Sequence, residues 1–134
     1  MNQNKFNLPE EFNFPITITS KLFFNIEKIN NLDYITDKKL NYSITGWGFI
    51  DKINSKDSNI YIILKRNDQY LKYITRSDER IDVAEYFKNE DYKYSGFIAY
   101  ICLDTLEKGE YQVGLFIQNT KFIAIDFSEQ YIEI

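Results

Sequence analysis

This chain has no histidine, and it has a single cysteine, Cys102, among its 134 residues. The absence of histidine removes the side chain that most often shuttles protons near neutral pH and most often ligates metals. One cysteine excludes an internal disulfide and a zinc site built from several thiolates. No Gly-x-Ser-x-Gly motif is present, and without histidine neither a Ser-His nor a Cys-His catalytic pair can form. We therefore expect a protein that is not an enzyme and that uses no cofactor and no metal.

Basic charge and long apolar runs are also scarce. The chain has 16 Lys and Arg against 20 Asp and Glu, a net charge of −4. No basic stripe is separated from the acidic residues, which argues against nucleic acid as a partner. Residues 1–7 lack the apolar segment of a signal peptide, and the apolar run 60–64 is too short to span a bilayer. We expect no membrane insertion, and either a cytoplasmic chain or a module of a larger membrane-associated protein.

What the chain does have is isoleucine, phenylalanine and tyrosine, whereas alanine occurs only three times. This composition favours strands over helices. Asn67-Asp68 lies between two alternating segments and predicts a tight hairpin. Residues 82–87 predict one short helical turn between the two sheets, with Asp82 as N-cap and Glu85 completing a capping box. Apolar residues alternate with a period of two in segments 19–28, 41–51, 59–66, 69–75, 97–102, 111–117 and 122–127.

The segment around Tyr111 is typical of one kind of β-sandwich. A leucine, the turn glycine Gly109 and Tyr111 lead directly into an alternating strand, as in the tyrosine corner of immunoglobulin-like domains, where the hydroxyl bonds to upstream backbone. We predict an all-β, immunoglobulin-like two-sheet antiparallel β-sandwich in residues 16–134. Residues 1–15 form an N-terminal arm whose phenylalanines need a surface to cover. A closed antiparallel β-barrel is the alternative, because alternation alone does not distinguish the two architectures.

Two further features have a structural interpretation. Loop 51–59 offers several oxygen ligands of the kind that calcium accepts, but it lacks the glycine and glutamate of an EF-hand and contains two lysines. We expect a polar loop that uses Asx turns. Cys102 shares a strand face with Ile98 and Tyr100, which predicts a small buried hydrophobic side chain and not a reactive thiol.

Aromatic side chains are the remaining candidates for ligand binding, because they combine apolar area with a polar edge. The candidates are Trp47, which lies between Gly46 and Gly48, and Tyr61 and Tyr73 in the following hairpin. With strands about 4.8 Å apart, these three rings could line a strip as wide as a sugar. The alternative interpretation, which we favour, makes Trp47 the dry core tryptophan of the sandwich.

Several segments together resemble a known class of module: residues 44–50, 58–64, 80–87, 95–97 and 108–117. In this order they are similar to β-sandwich accessory modules appended to bacterial enzymes of surface-polysaccharide assembly, such as glycosyltransferases. The resemblance covers about residues 42–134 and implies an accessory role beside an enzyme; it supplies no binding residues. We expect a non-catalytic module that binds carbohydrate. The alternative is a protein-protein interaction or dimerisation module without a glycan ligand, whose partner is a protein of a glycan-assembly system or a second copy of the chain.

Overall fold

Two antiparallel sheets pack face to face in the computed structural model, which describes residues 6–13, 20–32 and 40–134. One short helix, α1 (Ile81–Tyr86), and two 3₁₀ turns (Ser55–Asp57 and Glu90–Tyr92) accompany the strands of these residues. The strands are β1 (Glu10–Glu11), β2 (Leu22–Asn31), β3 (Asn41–Ile50), β4 (Asn59–Arg66), β5 (Gln69–Ile74), β6 (Arg76–Asp78), β7 (Gly96–Cys102), β8 (Glu110–Gln118) and β9 (Ile123–Glu133).

The strand order is that of an immunoglobulin-like sandwich. Sheet A has the order β2-β3-β7-β6, and sheet B has the order β1-β5-β4-β8-β9. Apart from the two-residue β1, these orders correspond to the ABED and C′CFG sheets of that fold. No described strand pairs across the two sheets, so the sandwich prediction is confirmed and the barrel alternative is wrong. The predicted hairpin is present as β4 and β5, with Asn67 at a φ of 55° in the connecting turn.

The main core lies between the sheets and follows the predicted alternation. Every second residue of β3 from Ile44 to Ile50 faces inward, and Gly46 and Gly48 occupy two of these positions. A Cβ at Gly48 would overlap Leu115 of the opposite sheet, so glycine lets the two sheets approach each other here. The largest fully buried side chains of this core are Tyr73, Tyr111, Phe97, Ile44, Ile50, Ile62, Leu64, Ile101, Leu103 and Leu115.

The tyrosine corner is present at the start of β8. Tyr111 is 1% exposed, and its hydroxyl donates to the carbonyl oxygen of Glu107 at 2.7 Å. Gly109 has a φ of +150°, a conformation that glycine adopts most readily, and its backbone exchanges two hydrogen bonds with Ile134. The corner therefore joins the β7–β8 connection to the end of β9.

The N-terminal segment lies along the edges of both sheets. The Asn7 amide donates to the carbonyl of Tyr100 at 2.8 Å, and β1 extends sheet B beyond β5. Phe12 then packs on Phe116, with ring centroids 4.9 Å apart, on the outer face of sheet B. Residues 1–5 and 14–15 of the predicted arm lie outside the described residues.

The helical turn differs from its prediction. The N-cap residue of α1 is Arg80, and it makes no side-chain capping bond. The Asp82 carboxylate instead binds the Arg80 guanidinium, so the predicted capping box is wrong. The connection is also different: α1 joins β6 to β7, which are both in sheet A, and the chain crosses between the sheets at Thr75. The helix therefore lies over the outer face of sheet A.

Other local predictions have mixed outcomes. In loop 51–59 the Asn54 side chain accepts from the Lys56 amide at 2.9 Å, which is the kind of local hydrogen bond that was expected. Cys102 is half-buried and not fully buried, because it lies on the outer face of sheet A. Among the described residues there is no helix of the length and apolarity that crossing a membrane requires.

Candidate functional site

The outer face of sheet A carries a second aromatic cluster, made of Phe23, Trp47, Phe49, Phe87 and Tyr92. Phe49 is 1% exposed although it points away from the main core, and it stacks on Tyr92 with centroids 3.7 Å apart. Trp47 lies beside Phe49 at 5.8 Å and meets the edge of Phe87 at 5.6 Å. The residues 81–92 thus form a third layer, and the outward face of β3 is partly covered.

Loop 51–59 holds this third layer in place. The Ser55 hydroxyl donates to the carbonyl of Asp91 at 2.6 Å and accepts from the amide of Tyr94 at 3.0 Å. The hydroxyl oxygen of Tyr92 accepts from the amide of Lys52 at 3.1 Å. The hydroxyls of the buried residues Ser55 and Tyr92 are thereby paired, as buried polar groups usually are. The oxygens of this loop position the layer above sheet A.

A groove of about 580 Å³ opens where α1 passes over β2 and β3. Its volume is in the usual range for sites that bind small molecules. Trp47 is half-buried at its floor, and Tyr86 is 80% exposed at its rim. A hollow of about 390 Å³ adjoins it along β2 and shares Glu27 and Arg80. The groove is lined by Glu27, Trp47, Arg80, Asp82, Val83, Tyr86 and Phe87.

Three charged side chains form the polar wall of the groove. Arg80 donates to both carboxylate oxygens of Glu27, at 2.7 and 3.0 Å, and to both of Asp82, at 2.9 and 2.8 Å. These hydrogen bonds lower the pKa of the Asp82 carboxyl to about 2 and raise the pKa of the Arg80 guanidinium further above its ordinary value. Arg80 therefore ties β2 to the first turn of α1 and fixes both carboxylates.

The three predicted binding residues lie in three different places. Trp47 lines the groove on sheet A. Tyr61 lies on the outer face of sheet B, stacked on Phe116 at 5.7 Å with the Lys72 ammonium 4.6 Å from its ring centre. Tyr73 is fully buried in the main core, where its hydroxyl donates to the carbonyl of Cys102 at 3.2 Å and burial raises its pKa.

The predicted strip of Trp47, Tyr61 and Tyr73 therefore does not form. The chain crosses from sheet A to sheet B between β3 and β4, so these two consecutive strands are not neighbours in a sheet. Trp47 is also not the core tryptophan of the sandwich, because it points to the outer side of sheet A. Of the three residues, only Trp47 belongs to the groove.

Sequence reasoning missed most of the polar wall. The sequence pattern predicts Asp82 as a helix cap and gives no site role to Arg80, which stands two residues before it. Glu27 is 53 positions from Arg80, and no spacing in the sequence connects them. Aromatic residues indicate the groove better than charged ones do, since Tyr86 and Phe87, which both line it, are adjacent in the predicted helical turn.

A second, smaller pocket lies at the start of β4 and the end of β5, beside the crossing at Thr75. It measures about 210 Å³ and is lined mainly by hydroxyl, amide and aromatic side chains, including those of Ser58, Thr75, Tyr61 and Tyr94. No charged side chain lines it. Across residues 6–13, 20–32 and 40–134, no three His, Cys, Asp or Glu side chains cluster as metal ligands would. The groove on sheet A is larger and has charged side chains in its lining, so it is the stronger candidate for a binding site.

Comparisons with protein-family models, with curated proteins and with solved structures give no match to this chain. The geometry and chemistry of the groove are accordingly the basis for a functional assignment.

Proposed function

We propose that this chain is a non-catalytic accessory module that binds carbohydrate in the groove on the outer face of sheet A. The observation that carries the proposal is the position of the half-exposed Trp47 indole beside an exposed tyrosine, Tyr86, and two immobilised carboxylates, Glu27 and Asp82. This combination supplies a partner for each of the two kinds of surface that a sugar ring presents to a protein. The C–H faces of a sugar pack on aromatic rings, and its hydroxyls donate to charged acceptors.

The groove is also preorganised. Trp47 is held between Phe49 and Phe87, and the carboxylates of Glu27 and Asp82 are each held by two hydrogen bonds to Arg80. Side chains that are already fixed lose little conformational entropy on binding, so more of the contact energy contributes to affinity. This feature suits weak, hydroxyl-rich ligands such as sugars.

A protein partner is the second candidate, because α1 exposes large apolar side chains. Ile81 is 53% exposed and Tyr86 is 80% exposed on this six-residue helix. Aromatic residues surrounded by a polar rim are typical of protein interfaces. In this alternative the same surface contacts a protein of a glycan-assembly system or a second copy of the chain.

The place of the module beside enzymes of bacterial surface-polysaccharide assembly is part of the proposal and rests on the sequence resemblance. The location of the chain, either in the cytoplasm or as a module of a larger membrane-associated protein, likewise stays a prediction.

Isothermal titration calorimetry with a panel of neutral gluco-, manno- and galacto-oligosaccharides tests the proposal. We expect at least one of them to bind. Tyr86→Ala should weaken that binding, and because Tyr86 is exposed, the fold should be unaffected. Trp47→Ala should abolish it, although this variant also loses packing against Phe49. Tyr131→Ala is the matched control, because Tyr131 is 50% exposed on β9 in sheet B and should leave binding unchanged.

Two results would contradict the proposal. One is the absence of binding to every oligosaccharide of the panel by the folded wild-type chain. The other is binding that Tyr86→Ala and Trp47→Ala leave unchanged, since the sugar would then lie elsewhere. Concentration-dependent dimerisation that Tyr86→Ala abolishes, without any sugar binding, would support the protein-partner alternative.

A further inference from the structure

Among the described residues that line the groove, Arg80 is the single cation, and its donors are almost fully occupied. A guanidinium has five N–H donors, and four hydrogen bonds from Arg80 go to Glu27 and Asp82. The side chain itself is only 20% exposed. Arginine is the residue that usually recognises carboxylates and phosphates by a bidentate contact. Here both sides of the fork are already paired within the protein, so this mode of anion recognition is blocked.

The carboxylates, in contrast, are accessible from the groove. The Asp82 side chain is 68% exposed and that of Glu27 is 34% exposed. An ionised carboxylate has about four acceptor sites. Arg80 occupies two on each, and the Asp82 carboxylate also accepts from the backbone amides of Asp82 and Val83, so the open acceptor sites lie chiefly on Glu27. The groove itself contains two carboxylates and one guanidinium, which leaves one net negative charge. In the adjoining hollow, Lys28 and Asp78 offset each other.

From this arrangement we infer that the groove selects sugars that donate hydrogen bonds and carry no negative charge, namely neutral hexoses or hexosamines, and that it rejects uronic acids. This inference rests on the proposed carbohydrate function and specifies its ligand class. Sugar hydroxyls or a protonated amine donate to Glu27 and Asp82, and these bonds are charge-assisted. A uronate carboxylate in the same position faces like charges without a free guanidinium to pair with, and such a juxtaposition is costly.

Matched ligands test the inference. One set consists of a neutral β-1,4-gluco-oligosaccharide, the uronate obtained by oxidising it at C6, and its 2-amino-2-deoxy counterpart. Equivalent sets are made from mannose and galactose oligomers. Trp47 is the single tryptophan of the chain, so its fluorescence reports binding in the groove directly. We expect the neutral and amino forms to bind at least about tenfold more tightly than the uronate at low salt. The difference should shrink at about 0.5 M salt, where charges are screened over a few ångströms.

A pair of variants separates the groove charge from the overall charge. Asp82→Asn removes one groove carboxylate and should bring the affinity of the uronate to within about threefold of that of the neutral sugar. Glu85→Gln changes the net charge by the same amount on the same helix but does not line the groove. It should leave the tenfold preference intact. Melting temperatures of both variants verify that they are folded.

The two possible failures are distinguishable. If no sugar of any form changes the Trp47 fluorescence or produces heat, the carbohydrate function is wrong and the ligand class is wrong with it. If sugars bind in the groove but the uronate binds as tightly as the neutral form, or Glu85→Gln narrows the preference as much as Asp82→Asn does, the function stands and the ligand class is overturned.

Discussion

The hydroxyl of Tyr111 offers the sharpest test of the fold. It lies at the start of β8, with a ring that is 1% exposed, and donates to the carbonyl of Glu107 at 2.7 Å, which is the preferred length for an O–H···O bond. Tyr111→Phe keeps the ring and its packing and removes only this bond. A hydrogen bond contributes about 0.5–1.5 kcal/mol net, and leaving its partner poorly solvated adds to the cost. We expect a loss of about 1–2 kcal/mol in the free energy of unfolding.

Urea denaturation followed by far-UV circular dichroism measures this loss. With an m-value of about 2 kcal/mol/M for a small domain, the midpoint should fall by about 0.5–1 M while the slope is unchanged. The folded-state spectrum should be unaltered.

Tyr73→Phe is the matched comparison for this measurement. Tyr73 is equally buried, but its hydroxyl bond to the carbonyl of Cys102 is 3.2 Å long, outside the preferred range. We expect this variant to lose less, about 0.5–1 kcal/mol. A midpoint that Tyr111→Phe leaves unchanged would refute the role of the corner hydrogen bond.

Three further predictions follow from local geometry. Arg80 lowers the pKa of the Asp82 carboxyl from 3.8 to about 2. The ionised carboxylate therefore stabilises the fold above about pH 4, and this contribution is lost as the pH falls through about 2. In the variant Arg80→Gln, an NMR titration should show the Asp82 midpoint close to 4. Gly48→Ala overlaps the flexible end of a leucine and should cost about 1–3 kcal/mol, whereas Gly46→Ala overlaps a backbone carbonyl and should lower the denaturation midpoint further. Excess calcium should leave the melting temperature unchanged, because oxygens of loop 51–59 already bind protein groups. If the loop did bind calcium, an ion concentration a hundred times the dissociation constant would add about 2.7 kcal/mol to the free energy of unfolding.

The local pattern of the chain was sufficient to predict most strands and the corner. Alternation at Ile44 and Ile50 and the turn at Asn67-Asp68 depend on neighbours within a few residues, and each is present as expected. Tyr111 could be identified because its hydroxyl bonds to a residue only four positions upstream. The helical turn was located correctly, but its cap was not, since Asp82 lies inside the helix and its carboxylate pairs with Arg80.

The candidate site depended on contacts that no local pattern contains. Period two shows that Trp47 and Phe49 share a face of β3, but it does not show that α1 and a 3₁₀ turn cover that face. It also does not show which sheet the following hairpin joins, and this separated Tyr61 and Tyr73 from Trp47. The period, the turns and the corner can be predicted from the amino-acid order alone, because these follow from backbone sterics and nearest neighbours. The choice of the faces that meet, and the contact between Glu27 and Arg80, depend on the folded chain, because long-range pairing selects one among many arrangements that satisfy the same local pattern.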